Sequence, residues 1–343
     1  MDEVWAVPLR DAWNLSNKRH LTPSLERKLC CTAVETGSFD KAARLAAEWG
    51  CSLSASTIQR CVSRLAEGAE DQPQSKPCID CAGPEDTLII MMDGWMARHR
   101  GRGWGFIKPC KGWDAINWYE IKTAIIYRLS DQVELSPKRA ALLHKHVVAT
   151  PAKTDPLSFG KRVHHEAMRM GMAQAKNVLV VMDGAVWLWN IFEDRFSSVA
   201  TGTLDFYHAS QHLHALSESL FEKKEDAKAW SAGLLNDLKE TSCSTLMNTL
   251  SDLVTDSANR TPQTVEAIKK ATTYFEKHTE HMDYVRNEND DRPIGSGSME
   301  SQCSQFQNRF KRRGQFWSES GFAALLEISV RHQNNELRSL WAA

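Results

Sequence analysis

The same three residues, Met-Asp-Gly, close two unbroken apolar runs. One is Thr87–Asp93 (TLIIMMD) followed by Gly94, the other Asn177–Asp183 (NVLVVMD) followed by Gly184. A short run with no polar interruption suits a strand covered on both faces, as in a sheet flanked by helices. The body of the chain is therefore constrained to an α/β architecture. Ligand sites of open α/β sheets lie off the carboxyl ends of the strands, and each run places an aspartate there. The following glycine lets the chain turn sharply and leaves room for a large ligand. One strand-ending Asp-Gly is ordinarily a plain turn. Two of them, each on a strand too apolar to be an edge, point to a shared site.

The chain has 343 residues, enough for two or three units at roughly 100–200 residues per domain. Hydrophobic residues make up 42% and charged residues 25%, so a core can be built. A formal charge of -1 excludes a global polycation, and contact with nucleic acid must come from local basic patches. The longest apolar runs, Leu88 to Met92 and Val178 to Met182, are too short for a transmembrane helix. The start, Met1-Asp2-Glu3-Val4-Trp5, has neither a basic segment nor an apolar core of a secretory signal. Nine irregularly spaced cysteines then read as reduced thiols, and the expected location is a bacterial cytoplasm in association with the nucleoid.

A segment rich in proline, glycine and polar residues, Glu67 to Asp86, reads as a linker after a helical N-terminal part. In that part Thr22-Pro23 starts a helix with Leu25, Leu29 and Ala33 inward and Gly37 as its end. Ser38 caps a second helix (Phe39, Ala43, Ala46) that ends at Gly50. A third begins near Ser54 to Ser56, with Ile58, Cys61, Val62 and Leu65 on one face. Its other face carries Gln59, Arg60, Ser63 and Arg64, which suits a recognition helix in a major groove. A solvated polar face on a three-helix packing module is the plainer alternative. In the body, Ile116 to Leu129, Lys145 to Thr150 and Thr201 to Phe206 read as further strands, and Gly94 to Gly112 as a polar loop. Leu157 to Gly171 reads as a helix, and from Tyr207 to about Asn287 there is only helical spacing. Two last helices are expected over about Ser298 to Arg313 and Ser318 to His332.

The first of these begins in the loop Ile294-Gly295-Ser296-Gly297-Ser298 and carries a third acid, Glu300. Met299, Cys303, Phe306 and Phe310 form its apolar stripe, and Glu300, Ser304, Gln307 and Lys311 a polar line beside it. An acid in a first helical turn most commonly complements the helix dipole. Together with Asp93 and Asp183, however, Glu300 completes an oxygen-donor set for Mg²⁺, for which Mn²⁺ would substitute. Two such ions about 3.5–4 Å apart stabilise the attacking and leaving oxygens of an in-line displacement at phosphorus.

These motifs resemble bacterial insertion-sequence DDE transposases of the ISKra/ISLre type. The match runs over roughly residues 87–343 and is most specific from Val180 to Asn190 and from Pro293 to Ser301. The resemblance implies a ribonuclease-H-like mixed sheet with Asp93, Asp183 and Glu300 as catalytic, metal-holding acids. It implies that Asp205 and His208 form an Asp-x-x-His signature, with His208 near the scissile phosphate. It further implies a helix-turn-helix domain (1–70), a linker (71–86), a first core segment (87–208), an all-helical insertion (209–292) and a second core segment with the third acid (293–343). The implied activity is metal-dependent cleavage at element ends and strand transfer to target DNA. Terminal inverted repeats are the bound duplex, and a homodimer or larger assembly forms on DNA. A structure-selective nuclease of the same fold and a domesticated, non-catalytic DNA-binding protein are the alternatives.

Arg309, Lys311, Arg312 and Arg313 follow Glu300 along its helix and join Gln59, Arg60 and Arg64 as candidate DNA contacts. Arg98, Arg100, Arg102, Lys108 and Lys111 alternate with Trp95, Trp104 and Trp113, which suits phosphate contact and base stacking. The alternative is a hairpin whose tryptophans are core. Cys78-x-x-Cys81 has no second pair, with only Cys110 nearby, and His208 with His212 has no convergent cysteine set, so zinc is not compelling. His144, His146, His164 and His165 are expected at the surface.

Overall fold

A computed structural model describes residues 21–70, 81–108, 110–136, 139–337 and 340. Its centre is strand β1 (Thr87–Arg100), whose alternate side chains enter two separate cores. β1 pairs antiparallel with β2 (Ile116–Arg128) along its length, from Leu88 opposite Arg128 to Arg100 opposite Ile116. A small hairpin of β3 (Gln132–Ser136) and β4 (Arg139–Leu142) follows, then β5 (His146–Ala149), antiparallel to β2. β6 (Asn177–Met182) runs parallel to β1, and β7 (Thr201–Leu204) parallel to β6. The result is a five-stranded mixed sheet in the order β5-β2-β1-β6-β7. Parallel neighbours require crossovers. The chain supplies them as helices: α4 (Pro156–Arg169) before β6 and α5 (Val186–Arg195) before β7.

The N-terminal helices are α1 (Pro23–Thr36), α2 (Phe39–Glu48) and α3 (Ala55–Glu70). The expected signals place them: the Thr22 hydroxyl accepts from Leu25 N, the Ser38 hydroxyl from Lys41 N, and Gly37 ends α1 at a φ of 59°. After β7 come α6 (Phe206–Leu220), α7 (Lys224–Glu240), α8 (Ser244–Thr255), α9 (Pro262–Lys277) and α10 (Tyr284–Asn289), with no strand among the described residues there. α11 (Gly297–Phe310) and α12 (Glu319–Gln333) return to the sheet.

Ile89, Met91, Trp95 and Ala97 of β1 face α11, α12 and the three N-terminal helices in one core. Leu88, Ile90 and Met92 face α4, α5 and the helices between residues 206 and 294 in the other.

Two expectations are corrected here. β1 does not end at Asp93; it runs on to Arg100, because β2 supplies backbone partners all the way out. Trp95 is accordingly core, 2% exposed and packed against both Phe306 and Phe310. The expected recognition face of α3 is only partly open: Arg60 is exposed, while Gln59, Ser63 and Arg64 are half-buried. Gln59 lies against Gly321 of α12, Arg64 pairs with the buried Glu26, and Ala69 O accepts from Arg331. Residues 71–80 of the expected linker, with Cys78, lie outside the described residues. Its end is tied down, since Ala82 is buried and its N–H donates to Met170 O.

Candidate active site

The register of the parallel strands aligns three aspartates. Ile90 pairs with Val180 and Met91 with Val181, a constant offset of 90 positions that sets Asp93 level with Asp183. Leu179 pairs with Thr201 and Met182 with Leu204, an offset of 22 that sets Asp183 level with Asp205. The ladder reaches that row, because Asp205 N donates to Met182 O at 2.7 Å. Side chains level across parallel strands share one face of the sheet. That face lies toward α11, which carries Glu300.

The three aspartates differ in what they bind. Asp205 is fully buried, and its carboxylate accepts four hydrogen bonds. Tyr207 N (2.6 Å) and His208 N (3.2 Å) donate to Oδ1 and cap α6. Ser296 N (2.7 Å) and the Ser296 hydroxyl donate to Oδ2. Four bonds fill the acceptor capacity of a carboxylate, so Asp205 fastens the start of α11 to the start of α6. Among the described residues Asp93 has only Gly94 N at 2.6 Å on Oδ1 and the Cys303 thiol at 3.7 Å from Oδ2. Burial, reinforced by the Asp183 carboxylate, lifts Asp93 to about 6 against the pull of the Gly94 N–H. Asp183 Oδ1 accepts from Ala185 N at 2.8 Å. Burial and the neighbouring Asp93 and Glu300 carboxylates push the Cys303 thiol well up, so it stays protonated and donates.

Glu300 is exposed on the first turn of α11, and Ser296, not Ser298, is the residue that precedes the helix. Its carboxylate, the Asp205 carboxylate and the His208 ring nitrogens have ligand atoms within 4.8 Å of one another, the only such metal-capable group among the described residues. With Asp205 saturated, the free donors there are Glu300 and His208. His208 also acts electrostatically on Asp93, and Cys303, one turn beyond Glu300, touches Asp93. The structure thus brings Asp93, Asp183, Asp205, His208 and Glu300 to one end of the sheet.

The glycines after the acids do not leave open space. A Cβ on Gly184 would meet the Tyr274 ring at 2.2 Å, and one on Gly94 the Glu120 carboxylate at 2.5 Å. Gly295 likewise admits the Tyr207 ring at 2.5 Å. Glu120 and Tyr274 are therefore site neighbours that sequence reading missed. Both come from distant segments with no local motif, and only the bare face of each glycine hinted at close approach. His212 stacks on Tyr274 at 3.7 Å, and burial and His208 hold its ring below the usual imidazole range.

Several expected DNA contacts are spent inside the fold. Arg309 reaches Glu35 at 3.7 Å, and Arg312 donates to Asn308 O at 2.7 Å and Thr36 O at 3.1 Å. Arg98 donates to Lys311 O and Arg312 O, and Lys311 lies 5.2 Å from the Trp118 ring. Arg60, Arg312 and Arg313 remain exposed. His146 is buried and pairs with Glu166 at 2.9 Å rather than facing solvent.

No family model matches the chain, and no curated protein matches it. Among solved structures it is similar to one described as the Drosophila P element transposase strand transfer complex. Identity there is 11% over 97% of this chain and 83% of that one, with a TM-score of 0.30, a likeness too slight to bear on fold or chemistry.

Proposed function

We propose that the chain is a metal-dependent DNA strand-cleaving and strand-joining enzyme of the DDE transposase type, built on a ribonuclease-H-like core. The observation that carries the reading is the level row of Asp93, Asp183 and Asp205 across three parallel strands, with Glu300 and His208 brought to the same end. The motif resemblance of residues 87–343 supports the choice of chemistry.

The donor set fits a hard divalent cation such as Mg²⁺. Asp93 and Asp183 each keep one carboxylate oxygen without a strong hydrogen bond among the described residues, and Glu300 is exposed beside them. Burial of Asp93 against Asp183 places two like charges together, an arrangement that costs free energy until a cation neutralises it. Asp93, Asp183 and Glu300 would hold the metal, with His208 adjacent. Bound there, the ions would supply charge stabilisation at phosphorus and a nucleophilic oxygen at neutral pH. Asp205 keeps the Glu300 helix and His208 in place by clamping Ser296 and the first turn of α6. Cys303 holds Asp93 toward α11.

The test is incubation of the full chain with duplexes spanning the DNA that flanks its own gene, in Mg²⁺ or Mn²⁺. Nicking and joining are expected from the wild type. Asp93→Asn, Asp183→Asn or Glu300→Gln should lose both by at least about a thousandfold, with duplex binding retained. Full activity in any of the three removes the mechanism. Cutting without joining would instead favour a nuclease, and binding without cutting a non-catalytic protein.

A further inference from the structure

β1 and β2 pair out to Arg100 and Ile116 and are joined by residues 101–115. This loop has a fixed frame. Gly101 N donates to Ala115 O at 2.9 Å and Gly103 N to Asp114 O at 2.8 Å. The crossing is so tight that a Cβ on Gly101 would meet Asp114 O at 2.2 Å. Trp104 N closes a turn on Gly101 O at 3.0 Å, and its ring packs on Phe316 at 4.7 Å. Phe106 meets Trp113 edge to face at 5.8 Å. The frame holds two consecutive apolar side chains outward. Phe106 is 60% exposed and Ile107 98%, the most exposed large apolar side chain among the described residues. Single apolar residues scattered over a surface are ordinary. An adjacent pair on a braced loop gains nothing from the fold and is presented to something outside it.

The surrounding charge says what that is. Over residues 94–119 five cations, Arg98, Arg100, Arg102, Lys108 and Lys111, stand against one acid, Asp114, in a chain whose net charge is -1. Arg100, Arg102, Lys108 and Lys111 are exposed and form no ion pair among the described residues. Aromatic faces orient two of them without neutralising them. The Arg102 guanidinium lies 4.4 Å from the Trp113 ring and that of Arg100 5.6 Å from Trp104. The positive line does not stop at the loop. Arg100 also lines a cleft with Arg313, so cations run from the tip along the ribbon toward the body. A second copy of the chain would bring the same positive tip against this one, and a bilayer would meet the tip alone. A polyanionic rod lying along β1 meets the whole line.

We propose that Phe106 and Ile107 form a wedge that enters a base step of a bound DNA duplex and kinks it, with Arg100, Arg102 and Lys111 on the flanking phosphates. The choice of polymer rests on the strand-cutting reading, because the strand that leads to the tip is the one that carries Asp93. Apolar wedges of this kind unstack one step and bend a duplex by roughly 20–90°. Arg100 lies about 20 Å along β1 from Asp93, so the kink falls at least roughly 6 base pairs from a phosphate held at the acids.

The probe is a duplex with a fluorescence donor and acceptor at its two ends and a single 2-aminopurine moved step by step along it. It is titrated onto the full chain in EDTA, where cutting plays no part. The wild type should bring the ends closer and raise 2-aminopurine emission at least about twofold at one step, the mark of unstacking. Phe106→Ser with Ile107→Ser, both at exposed positions, should abolish the two signals and keep the slope of log affinity against log salt. Arg102→Ala with Lys111→Ala should lower that slope by about 0.9 per residue and leave the kinked step where it was. A wild type that binds without bending, or a serine variant that bends as the wild type does, overturns the proposal. So does a serine variant that loses only its binding to phosphatidylglycerol vesicles, which assigns the tip to a membrane. Loss of only a concentration-dependent dimer in sedimentation overturns it too and assigns the tip to a second copy. A chain that bends the duplex through this tip but never cuts keeps the wedge and loses the catalytic reading; one that cuts without bending does the reverse.

Discussion

Two aspartates one strand apart from Asp183 on either side have opposite economies. Asp205 is surrounded by donors, and its side-chain oxygens accept four hydrogen bonds. Asp93 is half-buried with one strong donor and a carboxylate beside it, and sits at about 6 instead of 3.8. A folded value above the unfolded one means that the protonated carboxyl stabilises. That contribution is full below about pH 3.8 and is lost as pH rises through about 6, at a cost of about 3 kcal/mol to the metal-free protein. The two positions should therefore respond to the same isosteric change with opposite sign. In EDTA at pH 7, Asp93→Asn should raise stability by about 1–3 kcal/mol and Asp205→Asn lower it by about 2–4 kcal/mol, read from urea unfolding. A destabilised Asp93→Asn protein would mean that Asp93 has a partner in the fold and is not kept for a cation.

At the scale of elements, buried charge also joins strand to helix. Glu166 on α4 pairs with His146 of β5 and with Arg169, which reaches Glu336 at 3.2 Å, while Glu327 on α12 binds Arg162 at 3.0 Å and Arg331 at 2.8 Å. Burial alone would push both carboxyls up. The hydrogen bonds and charges of these partners outweigh it and hold both below the ordinary carboxylate value of 4.5. A depressed folded value contributes stability above the unfolded value, and that stability is lost as pH falls through the folded one. The urea midpoint should thus fall as pH is lowered from about 5 to 3. Glu166→Gln should cost about 3 kcal/mol at pH 7 and flatten that slope; an unchanged slope would locate the acid sensitivity elsewhere. Which pieces of the fold were legible follows the same divide between local and distant. Caps at Thr22 and Ser38, the apolar stripe from Met299 to Phe310 and the buried strands ending at Asp93 and Asp183 are local patterns, and the sequence displays them. The continuation of β1 to Arg100, the covering of α3 by α12 and the ring of Tyr274 over Gly184 depend on partners between 16 and 262 positions away, where periodicity carries no information. The acids were legible because each stands next to a strand or helix signal. Glu120 and Tyr274 stand next to none.

For the whole molecule, the packing of α3 against α12 bears on where a duplex would be held. The N-terminal helices share a core with β1, α11 and α12, so they do not swing as a separate reading head. Thr36 and Gly37, at the end of α1, are fastened to the end of α11 through Arg312 and Gln315. Between these parts lies a cleft of about 300 Å³ in which Ser38, Gln59, Arg100 and Arg313 meet. Arg100 and Arg313 are exposed there. On the proposed reading, the cationic surface that meets the duplex is this cleft, about 20 Å along β1 from Asp93. Each phosphate contact removed should lower the slope of log affinity against log salt by about 0.9. Arg313→Ala and Arg100→Ala should each weaken duplex binding and reduce the slope by roughly that amount, with unfolding unchanged. Arg64→Ala should do the opposite. It strands the buried Glu26 carboxylate, costs about 2 kcal/mol of stability and leaves the salt slope as it was. Fluorescence anisotropy on a labelled duplex between 50 and 200 mM salt, beside urea melts of the same proteins, reads both quantities. A salt slope lost with Arg64 and kept without Arg313 would return the DNA to α3 and remove the cleft from the account.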